Sequence, residues 1–360
     1  DMLSVADSNA AAGMVTVAID AAKHGDRSFC TSGPASATTG CNGGAACVTA
    51  LPAGAQGDAN PPGSCGAAGF FKRPLNPAAV GATDGIPAVS GNFLVTSNFF
   101  RTRDTMRQDL IDESQLVHTL AFVPTGAPPT GNAVFDYMVA RGVIIDPATI
   151  YYSGQSLGAI QGAMNVATNP RISKAVLNVG GGTLVDVFTN SPAFATQVNA
   201  LLAGLGIVRG TAGFLQFLVV AKTVLDPADP INFVGHITAD TLPNLLTGGT
   251  MAQTPKKVLA QIAFCDGTVP NPFNFIYAAN LGVTPLPPTG VPGTAGKAFT
   301  MFVGADFAPG AGGTLPACSA TNAIEHGFVT DWANPTVTGT AQSDLAAFVT
   351  TDTVPPSIRK

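Results

Sequence analysis

Three residue types in this chain can together move a proton and form a covalent bond to a substrate carbon: a serine, a histidine and an aspartate. Ser156 lies in Gly154-Gln155-Ser156-Leu157-Gly158, between a β-prone run at 148–152 and a stretch of helical composition at 159–167. A strand that turns abruptly into a helix exposes a serine hydroxyl at a sharp elbow above the sheet. Glycine suits positions 154 and 158, because a side chain at either would meet the neighbouring strand or helix. The N–H of Leu157, at the positive end of the new helix, can face a developing oxyanion. Gln155 beside it is a candidate for the same oxyanion or substrate-facing wall. The plain alternative is a serine that caps a helix, in a chain whose 41 glycines produce Gly-x-Ser-x-Gly by chance.

A serine hydroxyl is a weak nucleophile and needs a base, which in turn needs a carboxylate to fix its tautomer. Of the four histidines, His24 and His118 precede Ser156, and His236 falls in a stretch that reads as an insertion. His326 lies in a loop after the last long strand and is the expected base. Asp266, just past the preceding strand, is the expected carboxylate; Asp306, one strand later, is its rival. Cys265 adjoins Asp266, and Cys318 lies on the loop that carries His326. A bridge between them would tie the acid and base loops together, or would simply staple a loose Gly-rich loop. His24 reads as part of a cleft wall, or as a loop histidine bonded to Asp26 or backbone. His118 reads as structural.

The elements that must position these groups alternate between strand and helix. Residues 1–13 read as a helix stopped by Gly13. Residues 14–20 (Met-Val-Thr-Val-Ala-Ile-Asp) are a nearly unbroken apolar run, as a strand buried on both faces would be. Residues 89–100 read as extended. The segment 101–120 is the clearest helix, with Met106, Leu110, Leu116 and Leu120 at helical spacing and mixed charge opposite. A short helix at 135–141 leads into a central strand at Ile150. Buried strands are expected at 174–179, 257–264 and 297–303, with helices at 274–281 and 342–349. Between 183 and 249 apolar helical segments (194–205, 213–225) alternate with breakers, which predicts a helical cap. An apolar lid over a polar centre suits a hydrophobic substrate. Asp226 and Asp229 are possible metal ligands, but two Asp-Pro steps usually mark turns. The expected organisation is a core at 1–182 and 251–360 with the cap at 183–250.

Composition narrows the classes. Hydrophobic residues make up 46% of 360 and charged ones 11%, ample for a large core. A net charge of -5 without a basic cluster argues against nucleic acid or an anionic membrane as partner. No apolar run approaches the roughly 20 residues of a membrane-spanning helix. Six cysteines, none in a Cys-x-x-Cys pair, fit three disulfides in an extracellular or periplasmic protein better than a metal site. Besides Cys265–Cys318, the nested arrangement Cys30–Cys65 around Cys41–Cys47 is expected, one of three pairings open to those four.

With the pentad and the order Ser156, Asp266, His326 in view, the chain resembles α/β-hydrolases of the lipase/esterase type, near the bacterial extracellular lipases of the virulence-factor group. The residues that carry the resemblance are Val17-Ala18-Ile19-Asp20 with His24-Gly25-Asp26-Arg27, Arg103-Asp104 with Arg107-Gln108, the pentad, Val224 through Pro230, and Asp266-Gly267-Thr268-Val269-Pro270-Asn271. The resemblance implies a mostly parallel sheet flanked by helices. It also implies carboxylic-ester hydrolysis through an acyl-serine, without a cofactor. Such hydrolases carry a first oxyanion donor in a loop that would precede residue 1. The sequence therefore leads us to expect a separate N-terminal fragment of the same precursor, completing the sheet and supplying a donor whose lack costs about 3 kcal/mol in the transition state. Alternatives with the same triad are a polyester depolymerase and an acyltransferase; a binding module on the same fold is a third, disfavoured by the three intact residues.

Overall fold

The structure, a computed structural model, describes residues 2–19, 21, 29–30, 69–70, 99–122, 128–283 and 296–360. His24 and the pairings Cys30–Cys65 and Cys41–Cys47 lie outside the described residues, as does the extended segment expected at 89–100 up to residue 98; its last two residues, Phe99 and Phe100, open a helix instead. A 3-10 turn, Met2–Val5, leads into α1 (Ala6–Ala11). A two-residue pair follows, β1 (Phe29–Cys30) and β2 (Gly69–Phe70), then α2 (Phe99–Ala121) and α3 (Ala133–Val139). Next come β3 (Ile150–Gln155), α4 (Leu157–Thr168), β4 (Ile172–Asn178), α5 (Leu184–Asn190), α6 (Ala195–Gly204), α7 (Ala212–Leu225) and α8 (Ile231–Thr238). The chain ends with β5 (Lys257–Ala263), α9 (Asn271–Asn280), β6 (Lys297–Phe302), α10 (Pro335–Thr351) and β7 (Ile358–Arg359).

The chain divides into two compact units. The larger comprises residues 1–18, 112–196 and 229–360 and contains a five-stranded parallel sheet in the order β3-β4-β5-β6-β7. The fold is thus α/β, the class expected from the sequence. Parallel neighbours need crossovers, and the helices between the strands provide them. Alternate residues of the strands face two different layers. Ala175 and Leu177 of β4 and Val258, Ala260 and Ile262 of β5 join the core with α4, α8 and α9. Val176 and Leu259, one register position away, face Leu345, Phe348 and Val349 of α10. Helix α4 is buried along almost its whole length, Gln161 and Asn165 included.

The second unit comprises residues 19–111 and 197–228. Its described part holds the β1–β2 pair, the first half of α2, most of α6, and α7. Thr211 caps α7 by accepting from the Phe214 N–H. Phe217 lies 6.0 Å from Phe99 and 6.3 Å from Phe214. Between Leu184 and Thr238, a range shared by the two units, every regular element is helical.

Two strand expectations need correction. Residues 14–19 run without regular structure, and Val15 and Ile19 are 46% and 39% exposed. A strand exists by pairing, and among the described residues no neighbour offers these residues a ladder. The strand expected to be central is instead an edge: among the described residues β3 pairs with β4 alone.

Candidate active site

Strand β3 delivers the chain to Ser156 and α4 carries it away. Between them Ser156 takes φ 54° and ψ −115°, a region that L-residues occupy only where surroundings impose it. The imposing contacts are local. The Ser156 N–H donates to Asn178 O at 2.8 Å, while the Ser156 carbonyl accepts from Ala159 and Ile160. The bend brings strand and helix so close that a Cβ on Gly154 would sit 2.2 Å from Gly158 O. Gly154 is therefore required on steric grounds. At Gly158, by contrast, a Cβ meets nothing within 4 Å among the described residues, so the collision expected there does not occur.

Two phenols hold the first turn of α4. Tyr152 donates to Gly158 O at 2.6 Å, and Tyr277 of α9 donates to Ala159 O at 2.7 Å. Tyr277 is wholly buried, which pushes its phenol well above the ordinary range and keeps it a donor. Gly162 leaves room for the Tyr152 ring, whose Cε1 would lie 2.4 Å from a Cβ there. At the other end of α4, the buried Lys256 ammonium donates to Val166 O and, at 2.6 Å, to Asn169 O. A cation there complements the negative end of the helix. Burial nevertheless draws the Lys256 pKa down to about 7.

The Ser156 hydroxyl does not cap the helix. It lies 2.6 Å from His326 Nε2. His326 Nδ1 in turn lies 2.7 Å from Asp266 Oδ2. The Asp266 side chain is fully shielded from solvent, and that of His326 is 17% exposed. The other carboxylate oxygen, Oδ1, accepts from the N–H groups of Thr268 at 2.8 Å and Val269 at 3.0 Å. A carboxylate only accepts, so the proton on His326 belongs on Nδ1, and Nε2 presents its lone pair to the serine hydroxyl.

Each loop is anchored by its own chemistry. Cys265, just before Asp266, has φ 61°; its N–H donates to Asn271 Oδ1, and Asn271 Nδ2 donates back to Ala263 O, each at 2.7 Å. Cys265 and Cys318 form the expected disulfide, with Cα atoms 5.7 Å apart. The turn bearing His326 is seated by Phe328 and Val329, which are buried with Val179, Ala263 and Phe302. Its strand-side contact is Ile324 N–H on Phe264 O at 3.0 Å.

The remaining sequence candidates lie elsewhere. Asp306 is exposed and its N–H donates to Thr321 O; the carboxylate at His326 is Asp266. His236 ends α8 beside Asp240, and His118 is exposed on α2. Asp229 receives the N–H groups of Thr183, Leu184 and Ile231 at 2.7–3.1 Å, so it closes backbone turns. Among the described residues no group of three His, Cys, Asp or Glu is placed to hold a metal ion. The Leu157 N–H makes no hydrogen bond among the described residues and opens α4 beside Ser156. Gln155, expected in the oxyanion or substrate-facing wall, is partly exposed, and its amide engages His326 O and Thr330. Sequence reasoning missed Thr330 and Tyr277, and it gave Asn271, though quoted, no role; Tyr277 and Asn271 bind backbone atoms that no motif marks, and Thr330 binds the unspecified residue of the pentad.

No protein-family model matches the chain, and no curated protein does. Among solved structures it is similar to acetyl xylan esterase 1 from Thermoanaerobacterium sp., at 15% identity over 54% of this chain and 51% of that one, with a TM-score of 0.35. It is also similar to a puromycin-hydrolyzing peptidase of Mycobacterium tuberculosis, at 17% identity over 42% of this chain and 19% of that one, with a TM-score of 0.26. An acylaminoacyl peptidase of Pyrococcus horikoshii matches at 11% identity over 43% of this chain and 21% of that one, with a TM-score of 0.27. The chain thus spans 51%, 19% and 21% of the lengths of these three proteins.

Proposed function

We propose that the chain is an exported serine hydrolase of the α/β-hydrolase type that cleaves carboxylic esters through an acyl-serine intermediate. The observation that carries this reading is the unbroken relay from Ser156 Oγ through both ring nitrogens of His326 to Asp266, at 2.6 and 2.7 Å. Nothing in a structural role calls for a serine hydroxyl held on an imidazole lone pair at a strained bend.

In this reading Ser156 Oγ attacks the ester carbonyl carbon as its proton passes to His326 Nε2. The imidazolium so formed is stabilised by the buried Asp266 carboxylate. Negative charge gathers on the former carbonyl oxygen, where the Leu157 N–H at the positive end of α4 can meet it; one such donor is worth about 3–4 kcal/mol. His326 then hands its proton to the departing alcohol oxygen. A water repeats the sequence on the acyl-serine and releases the carboxylic acid. Export is supported by the Cys265–Cys318 disulfide, which persists in an oxidising compartment.

A fluorophosphonate probe tests the reading directly. We expect stoichiometric labelling of Ser156, its loss in Ser156→Ala, and turnover of p-nitrophenyl esters. A series from acetate to palmitate then separates esterase from lipase. A folded chain that neither labels nor hydrolyses any member refutes the proposal.

A further inference from the structure

We infer that Gln155 is a positioning residue: its side-chain amide straps the backbone of the His326 turn to the strand end that carries Ser156, and Thr330 holds that amide in register. This deepens the serine-hydrolase reading and rests on it. Gln155 is the last residue of β3 and the immediate neighbour of the nucleophile. Its Nε2 donates to the His326 carbonyl at 3.2 Å, across 171 residues of chain. Its Oε1 accepts from the Thr330 hydroxyl at 3.0 Å, a proton shared with Gly327 O at 3.2 Å. The amide has one workable orientation. The His326 carbonyl can only accept, so the NH2 must face it, and the hydroxyl then donates to the oxygen. Thr330 belongs to the same turn as His326: its N–H donates to Gly327 O at 2.8 Å, as does that of Asp331 at 2.9 Å. The strap therefore grips the turn on both sides of Gly327.

The strap differs in kind from the other bonds that hold the imidazole. His326 is fixed through its ring by Ser156 and Asp266, and both ring bonds change as the proton moves and the serine is acylated. The bond from Gln155 to the His326 carbonyl involves no reacting atom. It fixes the base relative to residue 155, one peptide unit from Ser156, at every stage of turnover. A displacement of about 1 Å between reacting groups can cost on the order of 100-fold in rate. Because both ends of the amide are engaged, Gln155 contributes to the rate of proton transfer and leaves substrate affinity alone.

The variants Gln155→Met, Thr330→Val and Thr330→Ser test this in the full chain, with two readouts. With p-nitrophenyl butyrate, Gln155→Met should lower kcat about 10- to 100-fold with KM within twofold. Thr330→Val should fall in the same direction, Thr330→Ser should recover most of that loss, and the Gln155→Met/Thr330→Val double variant should lose less than the product of the singles. The second readout needs no turnover: the low-field proton resonance of His326 Nδ1–H should broaden or shift in Gln155→Met and Thr330→Val and persist in Thr330→Ser. A wild-type chain that shows this resonance but neither labels with fluorophosphonate nor hydrolyses ester overturns the hydrolase reading, and the resonance alone then decides the strap. Unchanged kcat and an unchanged resonance in Gln155→Met overturn the strap, as does a loss confined to KM or to thermal stability.

Discussion

Asp266→Asn changes one group in a carboxyl that is fully shielded from solvent and touches two different kinds of partner. Its Oδ1 receives the Thr268 and Val269 N–H groups, and its Oδ2 faces His326 Nδ1. In the variant, one of these positions must hold an NH2. If the NH2 takes the Oδ1 position, two backbone donors meet a donor and are left unpaired, at about 1–3 kcal/mol each. If it takes the Oδ2 position, the backbone bonds survive and the NH2 points at His326 Nδ1. The second arrangement is favoured by roughly 2–6 kcal/mol, and it forces Nδ1 to accept. The ring proton then sits on Nε2, facing the Ser156 hydroxyl, where it cannot take the serine proton. Only the disfavoured orientation retains the working tautomer, a fraction on the order of 1 in 30 to 1 in 10⁴. Loss of the carboxylate that stabilises the imidazolium deepens the deficit.

We therefore expect kcat for p-nitrophenyl butyrate to fall about 10³- to 10⁴-fold, with KM within a factor of a few. The fluorophosphonate labelling rate should fall in parallel, because it needs the same activated hydroxyl. The denaturation midpoint should barely move, since the backbone bonds and side-chain volume are kept. Asp306→Asn, at an exposed position away from the ring, is the control and should lie within twofold of wild type. A kcat for Asp266→Asn within tenfold of wild type would refute the tautomer argument, and a larger loss in Asp306→Asn would transfer the acid's role to that residue.

Three further outcomes are expected. Gly154→Ala drives a Cβ to 2.2 Å from a backbone oxygen and should cost more than about 3 kcal/mol in urea denaturation, whereas Gly158→Ala meets nothing within 4 Å and, within α4, should be neutral or stabilise by up to about 1 kcal/mol. Lys256 has a folded pKa near 7, below its ordinary 10.5, so the unfolded chain binds the extra proton between those values. Its contribution to stability should thus rise with pH across that window, by up to about 1.4 kcal/mol per unit; a wild-type minus Lys256→Met difference that stays flat from pH 7 to 10 would contradict it. Removing the Cys265–Cys318 bridge opens a loop of 53 residues and should cost about 4 kcal/mol. At φ 61°, glycine relieves position 265, so Cys265→Gly/Cys318→Ala should be more stable in urea denaturation than Cys265→Ala/Cys318→Ala, by about 1 kcal/mol.

The parts of the site that were legible in the sequence are those that depend on what a few consecutive residues must do. A strand-to-helix elbow needs glycine before the serine, and Gly154 with the β-prone run ahead of it announces that need within a dozen positions. That Asp266 and His326 would meet Ser156 was legible because each follows an apolar run, and strand ends of a parallel sheet gather at one edge. Burial patterns in β4, β5 and β6 were legible for a related reason: strands covered on both faces lose the alternation of polar residues. That same signal misled at 14–20, because an apolar run reports a preference for burial, while a ladder requires a partner that the run cannot specify. It also could not tell a central strand from an edge one, since Ile150 to Gln155 would read alike with one neighbour or two. β7 is held by Met301 N–H on Ser357 O, Val303 N–H on Arg359 O and the Arg359–Asp344 ion pair, none of which has a local signature.

Gln155 marks the limit most sharply. In the sequence it is the variable residue of a pentad, and adjacency to Ser156 suggests a role at the substrate. Its partners, a carbonyl at 326 and a hydroxyl at 330, lie 171 and 175 residues away. A carbonyl carries no residue identity at all, and threonine is as common on idle surfaces as on engaged ones. Only once β3 and the His326 turn are brought to the same end of the sheet does the amide have somewhere to go. In the proposed reading the elbow thus gives two adjacent side chains opposite service: the Ser156 hydroxyl meets His326 Nε2, and the Gln155 amide holds the backbone of the turn that carries that ring.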